Sequence, residues 1–440
     1  GNAFFVGEMA ELLASGASPA TVPSAVHDAV RRRVGRLAAE CRHLLVVAAV
    51  IGREFQSVVL ADVEKSSPID VLDRLQPAID QGLLAEGDQP GVMRFAHAIV
   101  ADALSAEMSA AQRARTHARV AEALIARGAG GNPHRVPEIA FHAYRGMAAG
   151  TAALAVEWSR RAAEHATVRL GDEDAVVHWG RALEALELAD PGDRSSRLEI
   201  LIERGHAFMR LDDVGHGAPC LVEAMSLAIE VADTDQLERA VLALEVPSSW
   251  QSGEIGADVD VVAGLEAAVA ALPADRQVAR ALALAQMADF GCWTRPPAVC
   301  SARADEAVSI ARSIDEPLVL TQVLNKKALA AWHPSTFATR IEAVEELLQS
   351  VAAKAPPALR AIAMLQRSAV AWEMGDVEMA QRLLDRARRD SSGSVVVELQ
   401  AQWSQAALML WRGQLQAAER ELDEGIVLFR RTRRWGVDEF

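Results

Sequence analysis

The sequence predicts a mostly α-helical chain, in which a winged-helix domain with a small β-hairpin precedes an α-solenoid of tetratricopeptide-like helical hairpins. Three observations predict it. Hydrophobic residues make up 51% of the chain and aromatic residues only 5%, a balance that suits helices packed closely through small side chains better than strands. Two short strand-like runs, "LLAE" and "VMRFA", flank the turn cluster "GDQPG" after a series of helices. From Ser109 onward helix follows helix, with small residues at repeating offsets. At 440 residues the chain is long for one compact core, and a repeat array escapes that size limit.

Taken in order, residues 1–22 read as an amphipathic helix over 4–14, with Phe5, Met9, Leu12 and Leu13 on one face, and a small-residue linker. Residues 23–108 carry the winged-helix pattern. "SAVHDAVRRRVGRL" and "AECRHLLVVAAVIG" read as two helices and "FQSVVLADVEK" as a short third. Ser67 followed by Pro68 is a helix start, because proline in the first turn loses no hydrogen bond; Gly82 is the matching C-terminal glycine. The two strand-like runs follow, then a helix over about 98–108.

Residues 109–440 read as the solenoid, broken by turn clusters such as "LADPGDRSS", "WHPS" and "KAPP". Tetratricopeptide-type packing needs small residues at spacings of 12 and then 7, where two helices cross closely. Four triplets fit: Ala163/Ala175/Ala182, Gly205/Gly217/Ala224, Ser368/Ala380/Ala387 and Ala406/Ala418/Gly425. Turn residues stand at the matching offsets, at Gly171, Asp212, Gly375 and Gly413. Between about 235 and 360 only Ala304/Ala311 suggests a repeat.

The catalytic inventory is thin. No G-x-x-x-x-G-K-[ST], H-E-x-x-H, G-x-S-x-G or G-x-G-x-x-G occurs, so catalytic and metal residues are expected to be none and the chain is not expected to be an enzyme. The histidines are scattered singly, and the widely spaced cysteines Cys41, Cys220, Cys292 and Cys300 fit neither a disulfide framework nor a zinc site. Tryptophans such as Trp158, Trp179, Trp372, Trp403 and Trp411 fall inside repeat helices, where core filling is their default use, although one exposed on the concave wall could anchor a ligand. No apolar run approaches the roughly 18 residues of a membrane span, and no signal peptide precedes the first helix, so a cytoplasmic chain without a membrane partner is expected.

A winged helix reads DNA when its third helix is basic. Here that helix carries Asp70, Asp73 and Asp80 with one arginine, Arg74, and the chain's net charge is −15. Phosphates would be repelled, so direct DNA binding by this module is not expected. The arginines of "RRRVGR" and "FRRTRRW" spread around their helices as solvated or paired charges.

One histidine stands apart. His97, in "GVMRFAHAIVADAL", sits where the hairpin hands over to the next helix. It can be read as a packed, hydrogen-bonded residue at the hairpin base, or as a group aimed at a ligand.

"GNAFFVGEMAELL" at the start resembles the segment that closes the ATPase module of STAND-class regulators (signal-transduction ATPases with numerous domains), closest to the large LuxR-type transcriptional regulators. "VPSAVHDAVRRRVGRLAAECRHLLVVAAVIGREF" and the stretch from "GLLAEGDQPGVMRFAHAIV" into the first solenoid helices resemble that family's winged helix, over about residues 1–127. The resemblance implies a preceding nucleotide-binding domain with a P-loop, absent from this chain, as a partner. It implies ATP or ADP as the cofactor of the intact protein, with none held by this chain alone. It also implies that His97 contacts the phosphates of ADP in the resting state, with Asn2 and Ala3 near the nucleotide; the family's proline is replaced by Ala3 here. The solenoid would then receive a small-molecule inducer or a protein. A plain tetratricopeptide scaffold for protein–protein interaction, with no nucleotide dependence, is the alternative.

Overall fold

A computed structural model describes residues 33–128, 131–211, 213–244, 259–292, 294–314, 316–350, 356–390 and 394–430. The expected helix over 4–14, the linker, Asn2, Ala3, most of the first winged-helix helix and most of "FRRTRRW" lie outside the described residues. Among the described residues the chain is twenty α-helices and one three-stranded sheet. It falls into two compact units: one holds the residues up to Arg169 with Gly180–Gly192, the other Leu170–Trp179 and the residues from Asp193 onward.

The first unit opens with α1 (Ala39–Ile51), β1 (Glu54–Gln56), α2 (Ser57–Glu64), α3 (Pro68–Asp80), β2 (Leu84–Glu86), β3 (Val92–Phe95) and α4 (Ala98–Ala106). The sheet is antiparallel in the order β1–β3–β2, with Phe55 opposite Met93 and Leu84 opposite Phe95. This helix–strand–helix–helix–strand–strand order is that of a winged helix, with β2 and β3 as the wing. The hairpin stands where the turn cluster placed it, and Gly91 takes a left-handed φ of 77° that suits glycine.

One element differs from expectation. Phe55 and Gln56 belong to a strand instead of to the start of the third helix. The gain is burial: Phe55 lies against Phe95 with ring centroids 5.8 Å apart, and both are buried. α3 begins as the sequence predicts, with the Ser67 side chain accepting from the Asp70 N–H at 3.1 Å and Pro68 in the first turn. Its outward face carries Ile69, Asp70, Asp73 and Asp80, all exposed.

The core of this unit does not stop at residue 108. α5 (Ala110–Ala126), α6 (Val136–Arg145) and α7 (Ala152–Val168) add Val120, Leu124, Ile139, Trp158 and Ala162 to the cluster built on Leu44, Leu60, Leu75, Phe95 and Leu104. Ser109 and Gln112 form a reciprocal capping box at the start of α5, so the helix starts sharply where the winged-helix pattern ends.

α8 (Asp172–Ala189) contributes residues to both units. The second unit continues with α9 (Arg194–Arg210), α10 (Val214–Glu230), α11 (Thr234–Ala243), α12 (Val259–Ala271), α13 (Gln277–Gly291), α14 (Pro297–Ile314), α15 (Pro317–Ala330), α16 (Phe337–Ser350), α17 (Pro357–Glu373), α18 (Val377–Asp390), α19 (Val395–Trp411) and α20 (Leu415–Phe429). Successive helices pack as hairpins: α9 with α10, α13 with α14, α15 with α16, α17 with α18 and α19 with α20.

Three of the small-residue triplets fall on these hairpins, at α9–α10, α17–α18 and α19–α20, and every member of the four triplets is buried. At the α9–α10 crossing a Cβ on Gly205 would sit 2.6 Å from Leu221 Cγ. In α17 the Ser368 hydroxyl donates to the Ala380 carbonyl of α18 at 2.8 Å. In the α15–α16 hairpin Ala343 packs with Ala328 and Val344, all buried. The array is thus a run of tetratricopeptide-like hairpins, irregular in its middle. No described helix is long and apolar enough to cross a membrane.

Candidate functional site

His97 closes β3 and opens α4 as its N-cap, in extended backbone at φ −145° and ψ 141°. Its ring is half-buried, neither sealed in the core nor free on the surface. Nδ1 accepts a long, 3.5 Å hydrogen bond from the Ile99 N–H. A neutral ring that accepts at Nδ1 carries its proton at Nε2, so Nε2 is the donor end of this imidazole. Of the three residues the resemblance singles out, His97 is described, and Asn2 and Ala3 lie outside the described residues.

Two other histidines, unremarked in the sequence, meet inside the same unit. His117 on α5 and His142 on α6 bring their Nδ1 atoms to 2.8 Å, with ring centroids 5.0 Å apart. Burial pushes the His117 imidazole down to about 4, with Arg145 and Arg113 adding repulsion. Burial and then His117 itself push His142 down to about 3, against a hydrogen bond to the Ile51 backbone at the end of α1. Both rings are therefore neutral near pH 7.

A concavity of about 630 Å³ near α5 is lined by His43, Arg115, Arg119, Glu107 and Glu122 among others. Arg119 and His43 already engage Glu64, at 3.3 and 2.7 Å. Its charges are of both signs, which gives it no clear preference for an anion or a cation.

In the second unit, α13 and α15 share a buried ion pair, Asp289 with Lys326 Nζ at 2.8 Å; Gln286 and Asn325 on the same two helices are buried as well. Burial, with the Asp289 charge, pushes the neighbouring Cys292 thiol up to about 12, so it is no nucleophile at neutral pH. The cysteines are free thiols, and among the described residues no group of three His, Cys, Asp or Glu side chains could hold a metal ion.

Another cavity lies further along the array. It measures about 380 Å³ and is formed by α17, α19 and the residue after the α15 C-cap. Trp332, Trp372 and Trp403 line it together with Glu373, Gln400 and Ser404. Trp158 and Trp179 are core residues, as the sequence suggests, whereas Trp372 and Trp403 face this cleft and Trp411 is 62% exposed. The sequence offered no signal that joins the three indoles, because each alone fits a core position.

No family model matches the chain, and no curated protein matches it. Among solved structures it is similar to a signal transduction ATPase with numerous domains from Pyrococcus horikoshii that carries a tetratricopeptide repeat sensor. There the identity is 12%, the match covers 90% of this chain and 63% of that one, and the TM-score is 0.40. It is also similar to a Rap protein complexed with competence and sporulation factor, at 10% identity, 92% and 99% coverage and a TM-score of 0.44. Both likenesses are loose, and the chain spans 63% of the length of the Pyrococcus protein.

Proposed function

We propose that this chain is the regulatory part of a nucleotide-switched transcriptional regulator of the STAND type. In the resting state its winged helix folds onto ADP held by a preceding P-loop domain, and its solenoid receives the signal that releases it. The observation that carries this reading is the placement of His97. A half-buried imidazole at the N-terminus of α4, with its proton on Nε2, fits a phosphate oxygen: the ring donates while the helix N-terminus favours the negative charge. The nucleotide supplies the state to be sensed; His97 only donates a hydrogen bond to it, and the exposed carboxylates of α3 keep the module off DNA.

For the switch to work, the signal must bind the released state better than the clamped one. A cleft in the repeat helices is a suitable receiver, because its walls come from different hairpins and respond to their spacing. The test is nucleotide retention. The intact protein should purify with ADP bound, and the His97→Ala variant should lose it during gel filtration. Equal retention in both would remove His97 from the switch.

The scaffold reading has one observation of its own. His97 caps α4, and a helix cap is a sufficient structural use for the residue without any nucleotide. On that reading the array presents a protein-binding surface, and the upstream sequence carries no P-loop.

A further inference from the structure

We propose that the tryptophan-lined cleft of the second unit binds an organic cation, a bulky alkylammonium or quaternary ammonium compound. Three indoles supplied by three successive repeats open onto one cavity of about 380 Å³, a volume that suits a small organic molecule. Indole has the most electron-rich face of the protein side chains, and a cation over such a face is held by the ring quadrupole. The wall already uses this chemistry: the Arg340 guanidinium sits 4.3 Å from the Trp332 ring centroid and 5.2 Å from that of Phe337.

Charge decides between ligand classes. Glu373 is the single ionisable side chain among the lining residues. It pairs with the buried Arg340, which anchors the carboxylate beside Trp332 while leaving Glu373 partly open to solvent. An anion would meet that carboxylate and the negative ring faces. A neutral apolar molecule would gain burial alone. A bulky cation gains burial and contact with the indoles of Trp372 and Trp403, and of the two paired charges beside Trp332 it meets the more exposed one, the Glu373 carboxylate, Arg340 being buried. The chain's net charge of −15 adds a long-range attraction of the same sign preference. Ser404 and Ser368 donate their hydroxyl protons to the Gln400 and Ala380 carbonyls, so toward the cleft these hydroxyls present oxygen lone pairs, whose partial negative charge suits a cation.

The proposal rests on the reading of the array as the receiving part, and it is tested separately from nucleotide retention. The 440-residue chain is titrated with choline, with its uncharged carbon isostere 3,3-dimethylbutan-1-ol, and with the anion 3,3-dimethylbutanoate, followed by tryptophan fluorescence and calorimetry. Choline should bind saturably, the alcohol roughly tenfold more weakly or worse, and the carboxylate not at all. Trp403→Ala should abolish binding, Trp403→Phe should retain most of it, and Glu373→Gln should weaken it several-fold. Trp411→Ala, outside the cleft lining, should leave it unchanged. Equal affinity for choline and the alcohol would make this a site for apolar molecules and overturn the proposal. So would an absence of saturable choline binding, or choline binding indifferent to Trp403 and Glu373. Circular dichroism melts of each variant establish that the fold is retained, and Trp403→Phe keeps the test valid if Trp403→Ala fails to fold. ADP retention by the intact protein is unaffected by any of these outcomes, so the two readings fail independently.

Discussion

His117 and His142, 25 residues apart on two helices, face each other through their Nδ1 atoms at 2.8 Å inside the first unit. One ring must donate and the other accept. Burial holds both rings neutral, and the His142 ring also meets the Ile51 backbone at the end of α1. This neutral pair joins the end of α1 to α5 and α6, the junction between the winged helix and the first helices of the array.

A pH dependence follows from that pair. Both folded-state values lie below the ordinary 6.5, at about 4 and about 3. Below pH 6.5 the unfolded chain takes up protons that the folded chain refuses, so stability falls as pH drops from about 6.5 toward 4. Each histidine contributes a loss of about 2 kcal/mol at pH 5, because both folded rings are still neutral there. Urea unfolding between pH 8 and pH 5 checks the slope. The double variant His117→Gln/His142→Gln should flatten it, and an unchanged slope would place the titrating groups elsewhere.

The α9–α10 crossing leaves no room at Gly205, where a Cβ would stand 2.6 Å from Leu221 Cγ. Gly205→Ala should destabilise the second unit by about 1–3 kcal/mol through overpacking. A thermal melt of the full chain measures it; Gly215→Ala on the same hairpin, whose nearest neighbour would be 3.9 Å away, is the control.

Between α13 and α15, Lys326 neutralises a fully buried Asp289. Lys326→Met alone leaves a buried carboxylate and should cost about 3–5 kcal/mol, whereas Lys326→Met with Asp289→Leu should recover much of that loss. Chemical denaturation of the single and double variants decides it.

At the start of α3, the Ser67 hydroxyl accepts from Asp70 N–H at 3.1 Å. Ser67→Ala should cost about 1 kcal/mol, and Ser67→Asp should restore it, as read from unfolding midpoints.

Some of this was legible in the sequence for physical reasons. The "GDQPG" turn, the Ser67–Pro68 helix start and the small residues at spacings of 12 and 7 each record a local backbone or close-packing demand that few residue types meet. β1 was not legible, because three residues are too few to show alternation, and Phe55 is held there by Phe95, forty positions on. The histidine pair and the tryptophan cleft were hidden for the same reason. His117 and His142, like Trp332, Trp372 and Trp403, become neighbours only through helix packing, and singly each suits a helix interior. His97 was noticed from its position between hairpin and helix, and the structure adds the cap bond to Ile99 that assigns its tautomer.

The most direct measurement separates the two uses of His97. Asparagine caps a helix well but has no imidazole, so His97→Asn preserves the start of α4 while His97→Ala does not. The rate of release of a fluorescent ADP analogue from the intact protein is measured for the wild type and both variants. The account predicts that both release it at least about tenfold faster, the loss of one charge-assisted hydrogen bond. Release from His97→Asn at the wild-type rate would contradict it, leaving His97 as a helix cap and nothing more.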